Sequence, residues 1–291
     1  MDPTASPRRG GRAILHPMGL FSPFRAARRR RILERSPIGD GLWDWAIKEH
    51  RIFRWLGPAD AARLRELATV FLGEKRFDPV GGAALDDRLR VSIAAQACLP
   101  LLGLDLDWYS DWSTIIVTPR EYGVSKRDVD EAGVVHEYED EFSGEAFDLG
   151  PVALSKLDVE ASGWGDGYNV VIHEMAHKLD GRDGEFDGCP PLPRDMGYAD
   201  WRAAFMPAFE DIREKAGRAP KRRSRRRGPR IDPYAAESPD EFFAVCCEYF
   251  YEKPFVLASE YPAVFAQLAR FFRRDPRGEG RGDPLEPGPI L

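Results

Sequence analysis

The chain has 291 residues, 43% of them hydrophobic and 31% charged, with a net charge of −6. That is enough apolar chain for a substantial core, and no apolar run approaches the ~18–20 residues that cross a bilayer, so one large soluble domain is expected. Its four cysteines, Cys98, Cys189, Cys246 and Cys247, form no C-x-x-C pair; this argues against a disulfide framework or a cysteine zinc finger and for a reducing, cytoplasmic setting.

Charge is unevenly spread. Residues 1–35 hold nine arginines against Asp2 and Glu34. The stretch is broken by Gly and Pro and has no secretory apolar segment, so residues 1–40 are expected to form a disordered basic head, with Met18 a candidate start. The rest of the chain to residue 275 reads as a single domain. Its first part, 41–110, is helical: Ala61, Leu64, Leu67, Ala68 and Phe71 share a stripe after Pro58, and Leu89, Ile93, Ala97 and Leu101 share another. Next comes a sheet region, 111–180, with strand candidates at 113–118, 133–142 and 150–159. The segment 151–158 is a candidate edge for pairing with an extended peptide.

Residues 170–180 form an apolar-faced helix that stops at Gly181-Arg182-Asp183-Gly184. Beyond it, 198–216 places Trp201, Phe205, Phe209 and Ile212 on one face, 231–253 is helical from Ser238-Pro239-Asp240-Glu241, and 259–273 is a last amphipathic helix. Between them, 218–230 carries eight basic residues and no acid. Its run 221–227 has no aromatics interleaved for base stacking and is bounded by Pro220 and Gly228-Pro229, so it reads as a solvated loop in preference to a nucleic-acid contact. The tail, 276–291, is Gly/Pro-rich and expected to be disordered. Helices, then a small mixed sheet, then helices make the fold class α+β.

The chemistry centres on the helix at 170–180, where His173-Glu174-Met175-Ala176-His177 is an H-E-x-x-H string in a chain with only five histidines. Such a string arises by chance in roughly one chain in a hundred of this composition. Residues i and i+4 stack on one helix face, so His173 and His177 can present two imidazoles to one zinc ion. Glu174 lies about 100° round the helix, placed to act as general base on a water near that ion. A third ligand is still needed, and no histidine follows the motif. Asp180 shares the face of the two histidines but lies too far along the helix, which suits it to hydrogen-bond a ligand from outside, the favoured role, or to close the helix. Glu241 is the candidate carboxylate, although Ser238-x-x-Glu241 is equally a capping box, and these residues alone divide evenly between cap and ligand. Glu248, seven residues on, faces the same way and can support the site from behind. Tyr234, beside Pro233, reads locally as a packing aromatic.

HEMAHKLDG at 173–181, IDPYAAESPDEFFAVCCEYFYEKP at 231–254, FLGEKRF at 71–77 and LPLLGLDLDWYSDWSTIIVTPREY at 99–122 together resemble the Mlc titration factor A family of bacterial zinc peptidases. The resemblance runs in order over residues 50–275. It implies a zincin-like, gluzincin-type fold related to the catalytic domain of anthrax lethal factor, one Zn2+ per chain on His173, His177 and Glu241, Glu174 as base, and Tyr234 facing the metal. It also implies aminopeptidase-like activity on peptides and binding of a Mlc-like transcriptional repressor. The rival reading is a non-catalytic regulator that sequesters a transcription factor, with zinc serving architecture.

Overall fold

The computed structural model describes residues 23–120, 150–217 and 230–278; the strand candidate at 133–142, most of the basic loop, and residues 1–22 and 279–291 lie outside them. The N-terminal lobe is α1 (Pro23–Arg35), α2 (Asp40–Glu49), α3 (Pro58–Glu74) and α4 (Asp87–Cys98), with strand β1 (Arg76–Pro79) between the last two. Pro58 at the first turn starts α3, and the Asp86 side chain caps α4 by accepting from the Leu89 amide at 2.8 Å. From Val91 to Cys98 every residue of α4 is buried, so this helix is a central element and not a surface one.

Part of the head is ordered, contrary to the expectation for residues 1–40. The Arg-rich segment 23–35 is a helix packed on α3. Arg29 reaches Glu74 at 3.0 Å and Asp107 at 2.9 Å, and Arg25 reaches Asp107 at 3.1 Å. Ile32 lies so close to Gly73 that a Cβ there would stand 2.7 Å from the isoleucine Cγ2. Local composition favours disorder, but partners distant in sequence supply what the helix lacks on its own.

Strands β1, β2 (Thr114–Thr118) and β3 (Val152–Ser155) form a sheet in that order, all parallel, where a mixed sheet was expected. Parallel neighbours need a crossover, and α4 lies on the one joining β1 to β2. β1 pairs Phe77 with Ile115, and β2 pairs Val117 with Leu154. The third strand is shorter than 150–159. It stops at Ser155, whose hydroxyl caps α5 (Lys156–Ala161).

After α5 come the motif helix α6 (Val170–Asp180), α7 (Tyr198–Gly217), α8 (Pro239–Glu252), α9 (Pro254–Glu260) and α10 (Pro262–Phe272). Pro254 and Pro262 each open a new helix, so the expected final helix, 259–273, starts at Pro262 and a further short helix precedes it. An aromatic cluster joins the C-terminal lobe. Trp201 stacks on Phe205 at 4.2 Å, and Phe242, Phe243, Phe271 and Phe272 pack around them. The motif helix packs on α8, with Val171, Ile172, Met175, Ala176 and Leu179 buried. No helix among the described residues is long and apolar enough to cross a membrane.

Candidate metal centre

The Asn169 side chain starts α6 by accepting from the Ile172 amide at 3.0 Å. One turn further, His173 and His177 point their Nε2 atoms at each other, 3.2 Å apart. The carboxylate of Glu241 enters from α8, with Oε2 at 3.0 Å from His173 Nε2 and 3.6 Å from His177 Nε2. The geometry lets both readings of Glu241 stand together. Ser238 keeps its half of the capping box, its Oγ accepting from the Glu241 amide at 3.5 Å, while the glutamate side chain turns to the histidines.

These three donors fit a metal ion. Tetrahedral zinc at about 2.0–2.1 Å from each ligand holds its donors about 3.3 Å apart, and the three separations bracket that value. The contact of Glu241 Oε2 with His173 is short yet not aligned as a hydrogen bond, which leaves a buried carboxylate oxygen without a hydrogen-bond partner. Two facing ring nitrogens and an orphaned anion are costly to bury unless a cation sits among them. In the metal-free state, burial opposes ionisation of Glu241, but the two imidazoles outweigh it and hold its pKa well below the usual carboxylate range. Burial likewise opposes charge on His173, and its contacts with Glu241 and Glu248 prevail, raising its pKa to about 10.

Around the donors stand the other expected residues. Glu248 Oε1 lies 2.9 Å from His173 Nδ1, a carboxylate–histidine pair that turns Nε2 toward the metal position. Tyr234 sits on a 3-10 turn, Pro233–Ala236, capped by Asp232, and its hydroxyl donates to Glu241 Oε1 at 3.1 Å. Burial first, then the charges of Glu241, Glu237 and Glu174, push the tyrosine pKa up to about 12, which keeps it protonated. Glu174 is half-buried on α6, and its field reaches both His173 and Tyr234. Asp180 is fully buried but hydrogen-bonds neither histidine; its Oδ2 accepts from the Gly188 amide at 2.9 Å. It braces the loop after α6 against the start of α8, where Gly188 (φ +77) runs so close that a Cβ would stand 2.4 Å from the Pro239 carbonyl oxygen. Gly188→Ala is therefore expected to cost about 2–4 kcal/mol, measured by urea unfolding, and to lower metal occupancy through Glu241.

A family model for glucose-regulated metallopeptidase M90 matches residues 24–273. The chain belongs to that family. It is 35% identical over 245 residues to Mlc titration factor A of Salmonella arizonae, an alignment covering 84% of this chain and 94% of that protein. Against the protein of the same name from Edwardsiella ictaluri the identity is 38% over 223 residues, 76% of this chain and 83% of the relative. The match from residue 24 takes in most of α1, in keeping with its place in the fold. As an M90 metallopeptidase the chain works with a divalent metal, and His173, His177 and Glu241 are the group among the described residues that fits one.

Residues that the sequence reading did not single out also build the site. Asn169, Gln96 and Glu252 are buried behind α6 and joined by hydrogen bonds. The signals were a lone amide in the apolar run Ala94-Ala95-Gln96-Ala97, and a glutamate one turn past Glu248 on the face turned to α6.

Proposed function

We propose that the chain is a zinc-dependent peptidase of gluzincin type, with His173, His177 and Glu241 holding the metal. The observation that carries this reading is the convergence of those three donors, one of them the buried Glu241 oxygen that has no hydrogen-bond partner. Zinc in such a donor set polarises a carbonyl and lowers the pKa of a nearby water towards ~7. Glu174 takes a proton from that water as its oxygen attacks the peptide carbonyl carbon. The same carboxylate then delivers the proton to the leaving nitrogen as the C–N bond breaks. Tyr234, kept protonated and half-exposed at the mouth of the site, donates to the oxygen that becomes negative. Glu248 holds the ring of His173 throughout.

The lower edge of the sheet supports a peptide substrate. β3 has no strand partner on its outer side among the described residues, and Lys178 of the motif helix donates to Gly150 just ahead of it at 2.9 Å. An extended backbone added there would run beside α6. Resemblance supports an aminopeptidase preference, and the relatives' name, Mlc titration factor A, supports binding of a Mlc-like repressor. Four unpaired cysteines support a cytoplasmic setting. The deciding experiment is metal analysis of the purified protein together with hydrolysis of aminoacyl and N-blocked peptide substrates. One zinc per chain and preference for a free amine are expected; a protein that neither retains a metal nor cleaves either substrate would end this reading.

Tyr234→Phe removes only the hydroxyl. It is expected to lower kcat about 10- to 100-fold, at least ~1.4 kcal/mol, with KM nearly unchanged, because the donated hydrogen bond matters as charge develops on the oxygen. Steady-state kinetics on an aminoacyl substrate checks it; a change confined to KM would assign the tyrosine to substrate binding instead.

A further inference from the structure

Behind α6 runs a line of buried polar side chains that the proposed chemistry does not use. It begins in the N-terminal lobe at His50, whose Nδ1 lies 3.0 Å from the Ala46 carbonyl oxygen. A carbonyl only accepts, so Nδ1 carries the proton, and in the neutral ring that burial favours Nε2 is an acceptor. The Ser92 hydroxyl, 3.0 Å from that Nε2, must then donate to it. Ser92 Oγ in turn receives Gln96 Nε2 at 3.1 Å, which orients the amide and turns Gln96 Oε1 to Asn169 Nδ2 at 2.7 Å.

Asn169 uses every polar group it has. Its second amide proton goes to Glu252 Oε1 at 2.8 Å, its Oδ1 caps α6, and its backbone N–H donates to Glu248 Oε2. Glu252 is fixed from its other side by the amides of Gly163 and Gly165. Glu248 closes the line on His173 Nδ1. His50, Ser92, Gln96, Asn169, Glu248 and Glu252 are all buried. Donation runs from Asn169 through Gln96 and Ser92 to His50, while Glu248 accepts from the Asn169 backbone on one side and from the ring that presents Nε2 to the metal on the other.

Replacing all the partners of a buried polar network by apolar groups of similar shape is often close to neutral for stability, whereas removing one member leaves its neighbours unpaired and is costly. Fold stability alone therefore gives little reason for a glutamine at the centre of α4. Directional hydrogen bonds do what apolar contacts cannot: they fix the rotation of an amide, and through it the placement of a carboxylate. We propose that Gln96 and Asn169 are positioning residues of the metal centre, holding Glu248 and hence the ring of His173 through a continuous hydrogen-bond chain anchored at His50. The proposal rests on the zinc-peptidase reading.

Gln96→Leu tests it in the full chain, since leucine keeps most of the volume and removes both amide groups. The probe is Co2+, titrated into metal-free wild-type and variant protein and read by its visible absorption, with thermal melting and hydrolysis in parallel. A cooperative melt, a displaced cobalt band, cobalt affinity about 10-fold weaker, and kcat lower by 10- to 100-fold at similar KM are expected. A lowered Tm with the wild-type cobalt spectrum and affinity would show that the chain only stabilises the fold, and overturns the proposal. Should Gln96→Leu not fold, Ser92→Ala, one link farther from the metal, takes its place: a smaller spectral shift supports the chain and an unchanged spectrum overturns it. Wild-type protein that binds no cobalt would instead bring down the zinc reading itself, and the proposal with it.

Discussion

Glu174→Gln is expected to reduce turnover about 10²- to 10⁴-fold while one metal ion per chain remains bound. The substitution keeps shape and removes the only property the mechanism asks of this residue, a carboxylate able to take and return a proton. Glu174 lies beside His173 on α6 yet is not among the three converging donors, so metal content, measured by mass spectrometry of the purified variant, should match the wild type. Glu174 is half-buried, and its charge is felt at Tyr234, the group proposed to stabilise the developing oxyanion.

The same variant separates enzyme from regulator. If a repressor is bound through a surface that the metal merely stiffens, Glu174→Gln will bind it as the wild type does, and His173→Ala will not. Cleavage of aminoacyl substrates by Glu174→Gln at the wild-type rate would mean that hydrolysis does not run through this carboxylate, and the catalytic reading would fall.

Much of the centre was legible because helices repeat. The i, i+4 spacing of His173 and His177 and the seven-residue step from Glu241 to Glu248 fix which side chains share a face, and packing α6 on α8 brings the two faces together. Glu241 was not decidable locally, since a capping box and a ligand use the same Ser-x-x-Glu spacing; only the neighbouring helix shows where the carboxylate turns. Asp180 illustrates the converse. Its spacing suggested a hydrogen bond to a ligand, yet the chain doubles back after Gly184 and offers it the Gly188 amide instead. Strand direction and the ordering of α1 depend on contacts far apart in sequence: α4 crosses over to make β1 and β2 parallel, and Asp107 and Glu74 fix arginines that composition alone would leave in solvent. The Gln96 chain was hidden for a related reason, because one amide among alanines shows its purpose only when Asn169 arrives from another helix.

Removing the metal should have the second large effect, on stability as well as activity. An ion that binds only the folded state adds RT ln(1 + [L]/Kd), about 4 kcal/mol when free metal is 1,000-fold above Kd. A chain of this size shifts its Tm by roughly 2–4 °C per kcal/mol, so a strong chelator is expected to lower the melting temperature by about 8–16 °C and abolish hydrolysis. Restoring zinc should reverse both. Glu241→Ala takes away the donor that links α8 to α6, and it should melt at the same temperature with or without chelator. Its metal-free form has a second expectation that separates lost coordination from lost packing. Without the carboxylate, the two imidazoles have no anion between them, and the Tyr234 hydroxyl loses its acceptor 3.1 Å away. The variant should therefore lie at or somewhat below metal-free wild type in Tm, never near the zinc-loaded protein. Differential scanning calorimetry of both proteins, with zinc and with chelator, gives all four temperatures; a Glu241→Ala protein still stabilised by zinc to the wild-type extent would place the third ligand elsewhere.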